Sequence, residues 1–456
     1  MRRVFLIFFM IILSLYSQGK QWFLEEKTHL GINEKNHLTI GGVDVVNLAE
    51  EFGTPLYVID GNRIIERYKE FLRAFDSLYP KVEIKYAYKA NTSLAVLKIL
   101  KNQGAGADIV SGGELYVAMT IGLAPEKIIF TGNNKTDEEL RMALDAGVII
   151  NFDSIHEMER LKKICAEKKK IVRVSFRVNP SVSPETHPHL ATGLWKSKFG
   201  IHEDSVLEAY KSAKGFEYFK ISGIHMHIGS QILDSEPYKE ATSKLMDLAG
   251  KLKNHLGVEL DFIDVGGGVG IRYKKDMKSV PIKNFAEDIV KTIKEKIKEY
   301  NLKQPLLYLE PGRWIVGDAG ILLTRVSTIK KTPFKKFIGV DAGFNTLVRP
   351  VLYDAYHEVV LANRVNEKSE EEVYVAGNLC ESGDILAKDR LLPKVEENDL
   401  LAFLDAGAYA ISMASAYNSR PFPAEVLVLN GKYYLIRERE SYKDLLRNQL
   451  IPEFLK

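Results

Sequence analysis

The sequence predicts an α/β chain: a (β/α)8 barrel of the TIM type and a C-terminal β domain, a β-barrel or sandwich that also takes in the N-terminal strand segment. Three observations carry this reading. Eight short apolar runs between residues 82 and 309 alternate with longer amphipathic stretches, which is the rhythm of parallel strands joined by helices. The helical rhythm stops after Glu310. Beyond it lie short β-type runs separated by Gly, Pro and Asn.

In chain order, Leu56 to Asp60 reads as extended and Arg63 to Phe75 as a helix. The barrel strands are expected at Val82 to Tyr88, Asp108 to Val110, Lys127 to Phe130, Val148 to Phe152, Ile171 to Val178, Ile221 to Ile228, Leu260 to Val265 and Leu306 to Leu309. After the first strand, Leu94, Leu97 and Leu100 recur at helical spacing and the Gly104 region closes the helix. Ser181 to Gly200, with Pro184, Pro188 and two His, reads as a long loop over the barrel mouth. Ile321 to Ile329, Glu358 to Val365, Leu400 to Leu404 and Glu425 to Leu429 are the strands expected in the β domain. The domains are therefore 60–310 for the barrel and 28–59 with 311–456 for the β domain.

Residues 1–25 stand apart as a hydrophobic extension. Arg2 and Arg3 precede the apolar run from Val4 to Leu13, and Ser17 and Gly19 lie near a possible cleavage point. This has the form of a signal peptide and is too short for a confident membrane span; the alternative is an artefact of the gene model. The expectation is a cytoplasmic protein without membrane attachment, whose prefix is spurious.

Composition narrows the function. The 456 residues carry 63 Lys and Arg against 60 Asp and Glu, a net charge of +3, which argues against nucleic acid as a partner. Two cysteines, Cys165 and Cys380, are too few for a disulfide scaffold. Cys165 shares a helix face with Leu161 and Ile164 and reads as structural.

Barrels of this type do chemistry at the C-terminal ends of their strands. There the sequence places Lys89, Asp108 with Ser111, Arg177 with Asn179, His227 with Ser230, the Gly266, Gly267, Gly268 run, and Glu310 with Arg313. A period of two puts Lys89 on the face of Ala87. If that face points inward, Lys89 becomes a desolvated amine suited to Schiff-base chemistry; otherwise it is a surface lysine. The glycines suit either a phosphate-binding turn or a plain turn. Glu310, before Pro311 and Gly312, can pair with a protonated ring nitrogen or stand exposed. His225 and His227 share a strand face, and no cluster has metal-ligand spacing, so no metal is expected.

Taken together, Tyr86-Ala87-Tyr88-Lys89-Ala90-Asn91, Ser111 to Leu115, His225 to Gln231, Gly266 to Gly268, Glu310 to Arg313, Arg349-Pro350 with Tyr353, Cys380 to Asp384 and Gly407-Ala408-Tyr409 resemble the fold-type III pyridoxal-phosphate decarboxylases, in order over about residues 28 to 450. The resemblance implies pyridoxal 5'-phosphate as cofactor, held covalently by Lys89, with Glu310 on the ring nitrogen and His227 stacked on the ring. Ser230, Gly266, Gly267, Gly268, the turn Glu310, Pro311, Gly312, Arg313 and also Tyr409 would bind the phosphate. Arg313, Arg349, Tyr353, Glu381 and Tyr409 would contact the amino-acid substrate. Cys380 would be the catalytic acid, reaching with Glu381 into the partner's site of a homodimer. The implied reaction converts meso-2,6-diaminopimelate to L-lysine and carbon dioxide. A sister decarboxylase for ornithine, arginine or carboxynorspermidine, or a non-catalytic regulatory homologue, is the alternative.

Overall fold

The computed structural model describes residues 21–182, 192–193 and 197–456. The N-terminal prefix and most of the expected loop over the barrel mouth, including His187 and His189, lie outside them. The described chain forms two compact units. One comprises Ile64–Arg272 with Lys278–Gly317; the other comprises the described residues up to Arg63, Tyr273–Met277 and Asp318–Lys456.

The first unit is a closed parallel barrel. Its strands are β1 (Val82–Ala87), β2 (Gly106–Ile109), β3 (Ile128–Phe130), β4 (Ile149–Phe152), β5 (Val172–Asn179), β6 (Phe219–His225), β7 (Phe262–Asp264) and β8 (Leu306–Leu309). Each pairs with the next, and β8 returns to β1, so no barrel edge is left open. Helices cross between the strands. The helix Asp137–Ala146, for example, begins on a reciprocal bond pair between Thr136 and Glu139 and ends at Gly147, whose φ of 77° suits a residue without Cβ.

The interior positions fall into layers because side chains alternate along each strand. Ile129, Ile149, Phe262 and Tyr308, from β3, β4, β7 and β8, pack together as one apolar layer. Gly223 on β6 leaves room for the Phe262 ring, since a Cβ there would come within 2.3 Å of it. Two residues further along these strands, the same inward parity brings Thr131, Asn151, Asp264 and Glu310. An apolar layer therefore supports a polar one at the strand ends.

The second unit is built of sheets. Leu30–Ile32, Leu38–Ile40 and Val43–Asp44 form a small antiparallel sheet. The strand Leu56–Asp60 lies between Gly320–Lys331, antiparallel, and Ala424–Leu429, parallel, so the N-terminal strand is internal to the C-terminal sheet. Lys336–Val340, Glu371–Ala376 and Ile385–Leu392 extend that sheet.

Several expectations need correction. β1 ends at Ala87, and Lys89 sits on a 3-10 turn, Tyr88–Ala90, so strand parity does not orient it. β6 ends at His225, which leaves His227 beyond the strand rather than on its face. In the helix Leu94–Asn102 the buried side chains are Val96, Leu97 and Leu100, and Leu94 faces solvent. The strand expected from Glu358 to Val365 is only Val359–Leu361.

Candidate active site

At the polar layer, Lys89 reaches Asp108 on β2, with Nζ 2.5 Å from Oδ2. Thr131 on β3 donates its hydroxyl to the other oxygen of Asp108. Asp108 is fully buried. Burial raises its pKa first and the charge of Glu310 adds to that, against the pull of Lys89. Glu114, whose Oε2 accepts the Val110 N–H at 2.8 Å, is pushed up to about 7, chiefly by burial. The lysine thus stands among carboxyl groups that hold protons unusually well.

Across the layer, His225 Nε2 lies 3.2 Å from Glu310 Oε2. Burial works against the charge of Glu310, but His225, which hydrogen-bonds to it, and the charge of Lys89 outweigh it and lower the pKa of the carboxyl. Asp264, buried beside it, shifts well upward, from burial first and the Glu310 charge second. Of the two acids, Asp264 keeps the proton and Glu310 the charge. Topology assembles this group: ligand atoms of His225, Asp264 and Glu310 lie within 4.8 Å of one another, although their sequence spacing shows no metal-type cluster. The second oxygen of Glu310, Oε1, is buried without a hydrogen-bond partner among the described residues.

The glycine run is demanded by packing alone. A Cβ on Gly267 would come 1.8 Å from the carbonyl oxygen of Glu310, and one on Gly268 2.0 Å from that of Gly229. Gly266 and Gly268 also have φ of 72° and 108°. The Gly266 amide donates to Asp264 Oδ1 (2.9 Å) and the Gly267 amide to His227 Nδ1 (3.2 Å). His227 is thereby fixed with Nδ1 as acceptor, and burial, with Lys89 and Arg177 nearby, keeps it neutral. Beside this turn, Arg313 Nη2 donates to Ser230 Oγ at 3.1 Å. Pro311 accepts the Ala87 N–H through its carbonyl (3.2 Å), tying the Glu310 to Arg313 turn to the end of β1, just before Lys89.

Residues 62–317 match the family described as pyridoxal-dependent decarboxylase, pyridoxal binding domain. Diaminopimelate decarboxylase of Methanothermobacter thermautotrophicus is 51% identical over 421 residues, spanning 92% of this chain and 97% of that one. The Aquifex aeolicus enzyme of the same name is 44% identical, over 91% and 96%. The chain belongs to the diaminopimelate decarboxylase family. A crystal structure of the family member from Methanocaldococcus jannaschii superposes with a TM-score of 0.89 at 42% identity, covering 94% of this chain and 99% of that one.

The family's cofactor is pyridoxal phosphate, and the residues fit it. Glu310 is a buried carboxylate held in its charged form, which is what a protonated ring nitrogen requires. Lys89 is the partly exposed amine of the same layer.

The remaining expected residues belong to the other unit. Arg349 begins the short helix Arg349–Tyr353, and its Nη1 donates to His357 Nε2 at 2.8 Å. His357 Nδ1 donates to the Leu404 carbonyl (2.8 Å), and Tyr273 lies 4.7 Å from the Arg349 guanidinium. Tyr353 closes that helix. Cys380 and Glu381 are exposed on a turn held by Asp384, whose carboxylate accepts the Phe344 and Leu379 amides. The Cys380 amide donates to Asn418 Oδ1 at 2.7 Å. Tyr409 adopts a φ of 56° after Gly407 and Ala408. Cys165 is buried, and burial pushes its thiol up to about 11, in keeping with a structural role. Sequence reasoning missed Thr131, Asn151, Ser175 and His357, and did not count Asp108, Glu114 or His225 as site residues.

Proposed function

We propose that this chain decarboxylates meso-2,6-diaminopimelate to L-lysine and carbon dioxide, the last step of lysine synthesis, as a cytoplasmic homodimer with shared sites. The observation that carries the chemistry is the buried, charged Glu310 in the same polar layer as the partly exposed Lys89, held by Asp108. The substrate rests on the names of the relatives and on the M. jannaschii enzyme having been crystallised with L-lysine, at a TM-score of 0.88 and 42% identity.

When bound, pyridoxal phosphate supplies the electron sink for the pair left behind as carbon dioxide departs. The chain's own residues prepare that event. Asp108 Oδ2 takes the proton that Lys89 must lose to act as a nucleophile, and its raised pKa suits that transfer. Glu310, kept ionised with the help of His225, would hold a proton on the ring nitrogen. His227 stays neutral and would stack on the ring. Ser230, the Gly266 to Gly268 turn, the Glu310 to Arg313 turn and Tyr409 would bind the phosphate. Arg349 and Arg313 would offer guanidinium forks to a substrate carboxylate, Tyr353 and Tyr409 would add hydroxyl donors, and Glu381 would suit the distal ammonium. Cys380, from the partner subunit, would supply the proton to the substrate carbon. Its exposed turn supports that assignment. Among the described residues no helix is long and apolar enough to cross a membrane.

The test is carbon dioxide release by the cofactor-loaded protein with meso-diaminopimelate, ornithine and arginine offered separately. Turnover of diaminopimelate alone, with lysine as product, is expected. Turnover of a basic amino acid would replace the substrate assignment and the role of Arg349, and no turnover of any would favour a regulatory homologue.

A further inference from the structure

A line of buried hydrogen bonds runs through the polar layer behind Glu310. Ser175 on β5 donates its hydroxyl to Asn151 Oδ1 on β4 at 2.7 Å, and strand register sets the two residues side by side. With its oxygen so engaged, Asn151 turns its Nδ2 toward His225 Nδ1, 3.3 Å away on β6. The far ring nitrogen, Nε2, meets Glu310 Oε2 at 3.2 Å. All four residues are buried. Below them, Lys135 Nζ holds the Asn151 backbone carbonyl at 2.8 Å and pairs with Glu157 at 2.7 Å, so the strand carrying the amide is fixed as well.

We propose that Asn151 is a positioning residue for the cofactor: by donating to His225 Nδ1 it leaves that nitrogen bare and places the ring proton on Nε2, where it binds Glu310 and sets how firmly Glu310 holds the cofactor's ring nitrogen. The deciding point is a count of donors and acceptors. An ionised Glu310 can only accept, so His225 must present Nε2–H to it. Whether Nδ1 also carries a proton is decided by the group facing it. An amide N–H there excludes the second proton; an oxygen there would invite it. Outer partners of this kind fix the tautomer and orientation of a histidine that touches a reactive group. This rests on Glu310 being the partner of the ring nitrogen.

The experiment reads His225 directly, by imidazole nitrogen shifts in protein labelled with 15N-histidine, with His225→Gln providing the assignment. In the unsubstituted protein Nδ1 should be bare and Nε2 protonated. Asn151→Leu should let Nδ1 take up a second proton, weaken pyridoxal phosphate binding about tenfold and lower kcat by a similar factor, with little change in KM. Asn151→Asp should leave Nδ1 protonated. Should Asn151→Leu fail to fold, Ser175→Ala, which frees the amide to turn, should produce the same shift in smaller degree. A protonated Nδ1 in the unsubstituted protein, or unchanged tautomers in every folded variant, would overturn the proposal. Altered tautomers with unchanged cofactor affinity would instead remove Glu310 as the ring partner.

Discussion

The two units hold their functional side chains in different ways. In the barrel, Asp108, Asn151, His225 and Asp264 project from paired strands and Glu310 directly follows one, and register fixes which of the strand residues meet. Each is buried and its polar atoms are shared with neighbours across the layer, so the charge state of one depends on the next. In the β unit, Arg349 stands on a helix of five residues, and Cys380 and Glu381 stand on an exposed turn. Their positions depend on a few local bonds, such as Arg349 to His357 and Asp384 to the Leu379 amide. On the roles proposed above, cofactor chemistry would rest on the ladder, and substrate contacts on segments that can change without disturbing it.

Substitutions should separate the two. The largest effect is expected for Lys89→Ala, which should lower turnover by roughly 10³-fold or more and abolish the visible absorption of the bound cofactor. Persistence of that band would place the cofactor on another lysine. Glu310→Gln should reduce kcat about 100-fold and alter the same absorption, because the charge facing the ring nitrogen is lost. Arg349→Ala should leave the cofactor spectrum intact while raising KM for diaminopimelate roughly tenfold or more. A changed spectrum in this variant would break the division between the units.

Gly267→Ala should cost roughly 1 to 3 kcal/mol in a denaturant titration, since its Cβ has no room beside the Glu310 carbonyl. Unaltered stability would mean that the turn relaxes easily. The smallest effect concerns pH. Glu114 holds its proton more tightly when folded, at about 7 against an ordinary 4.5. Its contribution to stability is therefore complete at low pH and lost as pH rises through the folded value. Glu114→Gln should gain in melting temperature relative to the unsubstituted protein between about pH 5 and pH 8. A difference that stays flat across that range would show that Glu114 is already ionised at the lower pH.

Much of the barrel was legible because its strands are apolar runs separated by helices, and all eight lie where the runs were read. The polar layer was legible only in part. Lys89, His227, Ser230, Glu310 and Arg313 lie just beyond strand ends and announce themselves among Gly and Pro. Thr131 and Asn151 are single polar residues in or directly after apolar strands, Ser175 alternates with arginines on its strand, and only the fold shows that Thr131 meets Asp108, Asn151 meets His225 and Ser175 meets Asn151. In the β unit the signal was weaker. Glu371–Ala376 pairs with Ile385–Leu392 through register shifts that blur a period of two. Tyr273, which lies over Arg349, is embedded in sequence among barrel residues, and nothing in its surroundings there marks it as part of the β unit.

Everything proposed for the chemistry depends on Lys89, among the lysines of the barrel, carrying the cofactor. Borohydride reduction of the cofactor-loaded protein, followed by proteolysis and mass spectrometry, tests it directly. The phosphopyridoxyl group should appear on the peptide containing Lys89. Lys85 and Lys135, buried and paired with Glu83 and Glu157, should remain unmodified. Label on either of those, or on none, would contradict the assignment.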